Sequence, residues 1–379
     1  MKIYTIEARD SALFRDARPF IGSAGAVSMP VPWPGTIAGL LRTHSAPQDV
    51  DWATYSDEVV QFRSAGPWLA ELSDDDQIVE HFLPAPADAV FFPDDAKVDD
   101  EKLSNKKLVR VQLRPEDFNG ALSDMPTSHS DEHTLLPVLL AVKDADLGKP
   151  KTGPKWWSWS QYRQWLASPS SREVINADVL GVADPIAEER VHVGINAETR
   201  SADDGALFLT SMRRFVMKGS SSTGGSFRRF ALAACFDARV DAKNAVVALG
   251  GERRSSSLRR SDAALFEAAS TTGATRLRVV LVTPALFDDG WRPSAAAFGG
   301  GKLVAAIVPR PSAVSGWDFK AKGPKASRYM VPAGAVYWVD FASADAAQAF
   351  AQAKHMQSIC DQEQDQLDGY GLVVIGRGE

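Results

Sequence analysis

Tyr329-Met-Val-Pro-Ala-Gly-Ala-Val-Tyr-Trp-Val-Asp-Phe341 decides how this chain of 379 residues is read. Its β-branched and aromatic residues suit a pleated, half-buried strand. Directly after it Ser343 stands where a helix N-cap is wanted, and an alanine-rich helical run continues to about Met356. Tyr370 to Ile375 returns to strand character, and two further strand-like runs lie upstream, Arg276 to Thr283 and Leu303 to Val308. The amino-terminal end follows the same order. Lys2 to Ala8 reads as a strand, Pro30-Val-Pro-Trp-Pro34 as an irregular loop and Gly35 to Arg42 as a short helix, with strands later at Phe230 to Phe236 and Ala245 to Gly250. Strands gathered round an amphipathic helix thus occur twice. This predicts an α+β chain of two ferredoxin-like, or RRM-like, β-α-β-β-α-β units, set here at residues 1–268 and 269–379.

Regular periodicity lapses between about residues 46 and 185, where short apolar pieces alternate with Asp clusters, prolines and Ser/Thr runs. That stretch is expected to be a long insertion in the first unit. After it, Glu189 to Ile195 and Ala206 to Met212 read as the arms of a long hairpin. A hydrophobic fraction of 45% and a charged fraction of 24% are ordinary globular values, compatible with an enzyme or a binding module. The charged, alternating start lacks the apolar core of a signal peptide and no run reaches membrane-spanning length, so a cytoplasmic protein without a membrane partner is expected. Cys235 and Cys360 are too few and too isolated for a disulfide framework or a thiolate metal cage, and read as core thiols.

The formal net charge of −6 argues at first against a nucleic-acid partner. Its distribution argues otherwise. Glu71 to His133 holds sixteen acids and six bases, which leaves the rest of the chain at +4. Within that rest, Gly205 to Phe236 carries Arg213, Arg214, Lys218, Arg228 and Arg229 with no acid, and Lys302 to Met330 carries six bases against Asp318 alone. Two basic tracts on an acidic chain suit a protein that grips one polyanion along a defined face.

Several phrases resemble the RAMP proteins of CRISPR systems, in particular the subunit of the type III-B Cmr complex that sits at the 5′ end of the guide RNA. They include Phe14-Arg-Asp-Ala-Arg-Pro-Phe20, Pro32-Trp-Pro-Gly-Thr-Ile-Ala-Gly-Leu-Leu-Arg42, Arg190-Val-His-Val-Gly-Ile195, Leu249-Gly-Gly-Glu-Arg253, Pro309-Arg-Pro-Ser-Ala-Val-Ser-Gly-Trp317 and Gly369-Tyr-Gly-Leu372. Each is weak alone, and their order over nearly the whole chain carries the resemblance. It implies two ferredoxin-like domains, binding of the crRNA 5′ tag, and contact with the large polymerase-cyclase subunit and the backbone RAMP subunit. It also implies no catalytic residue, no cofactor and no metal. The resemblance puts Arg15, Arg18 and Arg42 on RNA-facing surface, with ion pairs to acids such as Asp10 and Asp16 as the plainer reading, and makes the Arg190 to Phe215 hairpin a thumb or an ordinary sheet edge.

The residues themselves name further candidates. Lys218-Gly-Ser-Ser-Ser-Thr-Gly-Gly-Ser-Phe-Arg-Arg229 offers amides, hydroxyls and cations suited to phosphates, and is equally the composition of a flexible hairpin tip. Arg253 and Arg254 follow Gly250-Gly251, where the backbone either approaches a ligand or turns tightly. Lys320, Lys322, Lys325 and Arg328 form a phosphate track or a solvated charge run. Trp156, Trp159 and Tyr162, at three-residue spacing, read as one helix face packed into a core rather than as base-stacking rings. Phe298-Gly-Gly-Gly-Lys302 lacks the spacing and the Ser/Thr of a P-loop. His129-Ser-Asp-Glu-His133 spells H-x-x-E-H, but proline-bounded, polar surroundings and the lack of a third ligand argue against a zinc site. The competing functional reading is a RAMP endoribonuclease that processes repeat RNA, with His192 or His44 as general acid or base.

Overall fold

The computed structural model describes residues 1–15, 26–47, 49–94, 107–116, 135–142, 147–218, 227–240, 242, 245–318 and 323–378. Lys2–Ala8, whose interior is apolar, lies within a nine-stranded sheet. In order across that sheet run Gly181–Val182, Trp156–Ser158, Ile78–Pro84, Ser64–Leu72, Phe227–Phe236, Lys2–Ala8, Arg254–Ser261 and Ala245–Leu249, with Val216–Lys218 paired to Phe227–Phe236. Every pairing is antiparallel. A second sheet orders Lys302–Ile307, Val336–Asp340, Arg276–Leu281 and Val373–Arg377, again all antiparallel. Two smaller four-stranded sheets complete the main framework. One is built on Lys107–Pro115 and the other on the long hairpin Ile186–Ile195 with Ala202–Arg214. The chain is therefore a mixed α/β protein of mostly antiparallel sheets with few helices.

The two large sheets share a strand order. Ser64–Leu72, Phe227–Phe236, Lys2–Ala8 and Arg254–Ser261 are neighbours in the order second, third, first, fourth along the chain, and so are the four strands of the carboxyl-terminal sheet. Each array has one helix of useful length. Pro34–Ser45 joins the first and second strands of the amino-terminal array. Pro34 presets its first turn, Ile37, Leu40 and Leu41 face Tyr4, Ile6 and Leu69, and Ala46 before Pro47 is extended, which ends it. Ala344–Lys354 joins the third and fourth strands of the other array; Ser343 Oγ accepts the Ala346 N–H at 3.2 Å, and Ala347, Phe350 and Ala351 are buried. The remaining crossovers use the strand Ala245–Leu249 and the short 3-10 turn Ala295–Phe298 instead of helices.

Two expectations from sequence are corrected. Tyr329 to Phe341 is not one strand: Arg328–Met330 pairs with Ser312–Val314, and the chain turns before Val336–Asp340. Pro332 cannot donate to a ladder, and Gly334 takes φ +89° where a Cβ would lie 2.5 Å from the Ala85 carbonyl oxygen. Trp156 does not share a helix face with Trp159 and Tyr162; it is in the strand Trp156–Ser158, and the helix is Trp159–Ala167. The packing reading of this cluster holds, since Trp157, Tyr162 and Trp165 are buried in the central core. Within residues 46–185, Ser64–Leu72, Ile78–Pro84, Trp156–Ser158 and Gly181–Val182 belong to the nine-stranded sheet itself. Cys235 and Cys360 are both buried and free.

One core joins the two large sheets, with Trp68, Trp157 and Trp165 on one side and Val280, Trp338 and Val374 on the other. At its centre Asp88 and Arg278 form an ion pair with both side chains fully buried. Asp88 also accepts from Trp165 Nε1 at 3.0 Å, and Arg278 donates to the carbonyls of Trp165 and Arg377 at 2.5 and 2.6 Å. Nearby, the connector between the sheets is pinned by two histidines. His81 accepts from Trp68 Nε1 at 2.9 Å through Nδ1 and hydrogen-bonds the Ala264 backbone, while His355 Nε2 bonds the Phe266 carbonyl at 3.0 Å. Burial lowers both pKa values.

Asp88→Ala leaves the Arg278 charge buried without its counterion and is expected to cost about 3–5 kcal/mol in urea denaturation. The histidines give a pH dependence of definite sign. Because their folded pKa values lie below the unfolded value of about 6.5, their contribution is complete above that pH and is lost as pH falls below it. Stability measured across that window should decline toward acid, and less steeply in His81→Gln.

Candidate nucleic-acid interface

The long hairpin gathers Arg190, His192, Arg213 and Arg214 but engages most of them internally. Residues opposite one another across its ladder share a face, so Arg190 with Thr210 and His192 with Phe208 lie on one side. Arg190 bonds Glu188 at 2.7 Å and Asp10 at 3.2 Å, and these acids raise its pKa. His192 Nε2 is 2.8 Å from the Thr210 hydroxyl and its ring stacks on Phe208. Arg213 donates to the carbonyls of Ser28 and Pro185. Arg214 is the most open, 3.5 Å from Glu188.

Acids from distant positions meet the tract that looked acid-free in sequence. Arg228 makes a bidentate pair with Glu71 at 2.7 and 2.6 Å, over the rings of Phe82 and Phe230. Arg229 bonds Glu7 and Asp76, both at 2.7 Å, and Arg259 holds the same two acids from the other side. The reason is register. Phe227–Phe236 lies between Lys2–Ala8 and Ser64–Leu72, with Arg229 opposite Leu72 and Phe230 opposite Glu71. Residues 219–226 and the Lys218 side chain fall outside the described residues, as do Arg18, Lys320, Lys322 and the His129 to His133 motif. Arg15 is exposed at a bridge to Ser28 and has an interaction within the chain.

Arg42 is an internal tie rather than a surface cation. It is buried, pairs with Asp368 at 2.5 Å and donates to the carbonyls of Phe62 and Leu367. Arg328 likewise makes a bidentate pair with the buried Asp365 at 2.8 and 2.6 Å, which raises its pKa. These pairs join the helix Pro34–Ser45 and the ribbon Arg328–Met330 to the segment around Glu363–Leu367.

Between those elements opens a cleft of about 670 Å³. One wall is the helix face from Gly35 to His44, another is the edge strand to Gly250 with Arg253, and the third is Val314 to Gly316 with Lys325 and Arg328. Arg253 is exposed and carried on a tight turn in which Glu252 and Arg253 take φ +57° and +49°. Gly250 permits that turn: at φ +74° a Cβ would lie 2.4 Å from the Leu13 carbonyl oxygen, so its close approach is to the chain itself. Arg254, next along, is held by Glu252 at 2.9 Å and Asp10 at 3.6 Å. Among the described residues neither Arg253 nor Lys325 has an acidic partner. His44 lines the same cleft, its pKa lowered by burial. The described residues contain no group of His, Cys, Asp or Glu able to hold a metal ion, and no helix among them is long and apolar enough to cross a membrane.

Comparison with known proteins now adds the lineage. A family model described as CRISPR-associated protein (Cas_Cmr3) matches residues 4–378. The chain belongs to this family. Membership makes it a component of the type III CRISPR machinery, of the type III-B Cmr kind. Similar solved structures include a chain of the type III-B Cmr-beta complex bound to cognate target RNA and AMPPnP. It is 14% identical, with a TM-score of 0.47, over 89% of this chain and 86% of that one. A chain of the Csm3-Csm4 subcomplex of the type III-A interference complex is 9% identical, with a TM-score of 0.37, over 90% and 94% of the two chains. No curated protein matches.

Sequence reading missed the acids Glu7, Glu71, Asp365 and Asp368 as partners, because nothing local links them to their arginines. Arg228→Ala in this Cmr3-family protein leaves Glu71 without its bidentate partner. It is expected to lower stability by about 2 kcal/mol in denaturant titration, with Arg228→Lys restoring only part of it.

Proposed function

We propose that this chain is a non-catalytic, crRNA-binding structural subunit of a type III-B Cmr ribonucleoprotein in the cytoplasm. It holds the 5′ end of the guide RNA and bridges to the large polymerase-cyclase subunit and the backbone RAMP subunit in antiviral defence. Two ferredoxin-like units, each keeping one of its two helices, form its frame, in keeping with the shared strand order of the two sheets. The observation that carries the proposal is the cleft, where Arg253 and Lys325 present charges that no described acid neutralises. Gly39 on the helix wall leaves backbone open to any strand laid there, since nothing lies within 4 Å of where a Cβ would stand. Cations on a groove of this kind bind a polyanion by its phosphates with little regard for sequence.

Arg253→Ala and Lys325→Ala should each weaken binding of the assembled complex to its guide and lower the salt slope by about 0.7 for a single strand. Arg228→Ala should leave that slope unaltered. Equal slopes for wild type and the Arg253/Lys325 double variant would remove the cleft from the RNA path, and absence of crRNA 5′-end protection by the complex would remove the function.

His44 supports a second reading, as a RAMP endoribonuclease. It lines the cleft and burial favours its neutral form, the state a general base requires. His192 is less apt, since its Nε2 is engaged by Thr210. Labelled repeat RNA incubated with the protein separates the two: cleavage abolished by His44→Ala establishes the nuclease, and binding without cleavage excludes it.

A further inference from the structure

The carboxyl-terminal sheet carries a second hollow, of about 580 Å³, lined by none of the cations discussed above. Its walls include Trp291, Val308, Pro309, Arg310, Pro311 and Tyr329. Tyr329 is 75% exposed and Trp291 38% exposed, unusual for large rings with nothing covering them. Both are held in place. Tyr329 is paired with Ala313 in the ribbon, and the Tyr337 hydroxyl donates to the Trp291 carbonyl at 2.8 Å. Asp361 clamps the loop on either side of Trp291 by accepting the N–H groups of Asp288 at 2.9 Å and Ser294 at 3.2 Å. The backbone that carries the rings is therefore held, so binding has only the side chains to order.

The hollow itself is lined by a cation, although the loop that carries Trp291 also holds Asp288 and Asp289. Arg292 lies 5.3 Å from the centroid of the Trp291 ring, Arg310 is exposed on the wall, and among the described residues no acid lines the hollow. Arg328 and Tyr329 are consecutive residues of one strand, and successive side chains of a strand point to opposite faces. Arg328 accordingly lines the first cleft and Tyr329 the second hollow. Exposed aromatic faces beside guanidiniums that no described carboxylate pairs with are the combination that single-stranded nucleic acid uses, with bases stacked on rings and phosphates on cations. A neutral apolar peptide would gain nothing from Arg310 and Arg292.

We propose that this hollow is a nucleobase-stacking site for single-stranded RNA, in which Tyr329 and Trp291 take the faces of an unstacked base and Arg310 its phosphate. The inference rests on the RNA-binding reading and adds to it a second, base-contacting site on the other side of the ribbon. The test uses the full chain and single-stranded RNA oligonucleotides with 2-aminopurine substituted at each position in turn. Wild type should alter the fluorescence of one position strongly. Tyr329→Ala and Trp291→Ala should abolish that change and weaken binding about tenfold, Tyr329→Phe should retain both, and Arg253→Ala should weaken binding while keeping the change at saturation. If wild type binds no RNA, the functional reading falls together with this one. If RNA binds equally to wild type and Tyr329→Ala with no position perturbed, only this inference is overturned. The same holds if Tyr329→Ala spares RNA binding but loosens assembly with other subunits, which would make the hollow a peptide groove.

Discussion

Asp88 and Arg278 face each other in a region from which water is excluded on all sides. Asp88 lies in the turn that follows the strand Ile78–Pro84 of the large sheet, and Arg278 in an inner strand of the carboxyl-terminal sheet. Neither charge is tolerable there without the other, and the surrounding donors and acceptors are satisfied only when Trp165 and the end of the chain near Arg377 are also in place. The pair therefore specifies one docking of the two sheets rather than adding much net stability. The cleft inherits its geometry from that docking, because its walls come from both halves of the chain.

Arginine has two distinct uses in this protein. Arg228, Arg229 and Arg328 bind carboxylates through two of their donors, Arg42 binds Asp368 through one and backbone carbonyls through the others, and such ties hold adjacent strands and loops in register. A phosphate could recruit these cations only by displacing acids already placed at hydrogen-bonding distance. Arg253, Lys325 and Arg310 lack such partners among the described residues, so their fields extend into solvent. On the proposed function, this division would let a chain with an overall charge of −6 attract a polyanion at a few places while its remaining surface repels others.

The ribbon formed by Ser312–Val314 and Arg328–Met330 lies between the two candidate surfaces. Its alternation puts a carboxylate-paired arginine toward the cleft and an exposed tyrosine toward the hollow. Backbone contacts alone would position an RNA without reading it, whereas a ring that accepts one unstacked base adds a point of registration. The two surfaces differ in chemistry as well as in place.

Much of the fold was legible in the sequence. The strand at Lys2–Ala8, the proline-started helix, the long hairpin and the Ser343-capped helix all follow from local rules: alternation, capping and the conformational limits of proline. So did the burial of both cysteines and of Trp156 and Tyr162. The break within Tyr329 to Phe341 was written in Pro332 and Gly334 but outweighed by the β-forming residues around them. Strand order, and with it the partners of charged residues, was decided only in three dimensions. Glu71 and Arg228 are 157 positions apart, and Arg42 and Asp368 are 326 apart. A local count of charge cannot see such pairs, because antiparallel pairing brings acids from one end of the chain beside arginines from another. The sequence by itself thus determined which segments form strands and helices and which family the chain resembles. Tertiary structure decided which cations remain open to a ligand, since a guanidinium in reach of a desolvated carboxylate is held by it, and one without that neighbour is left to solvent.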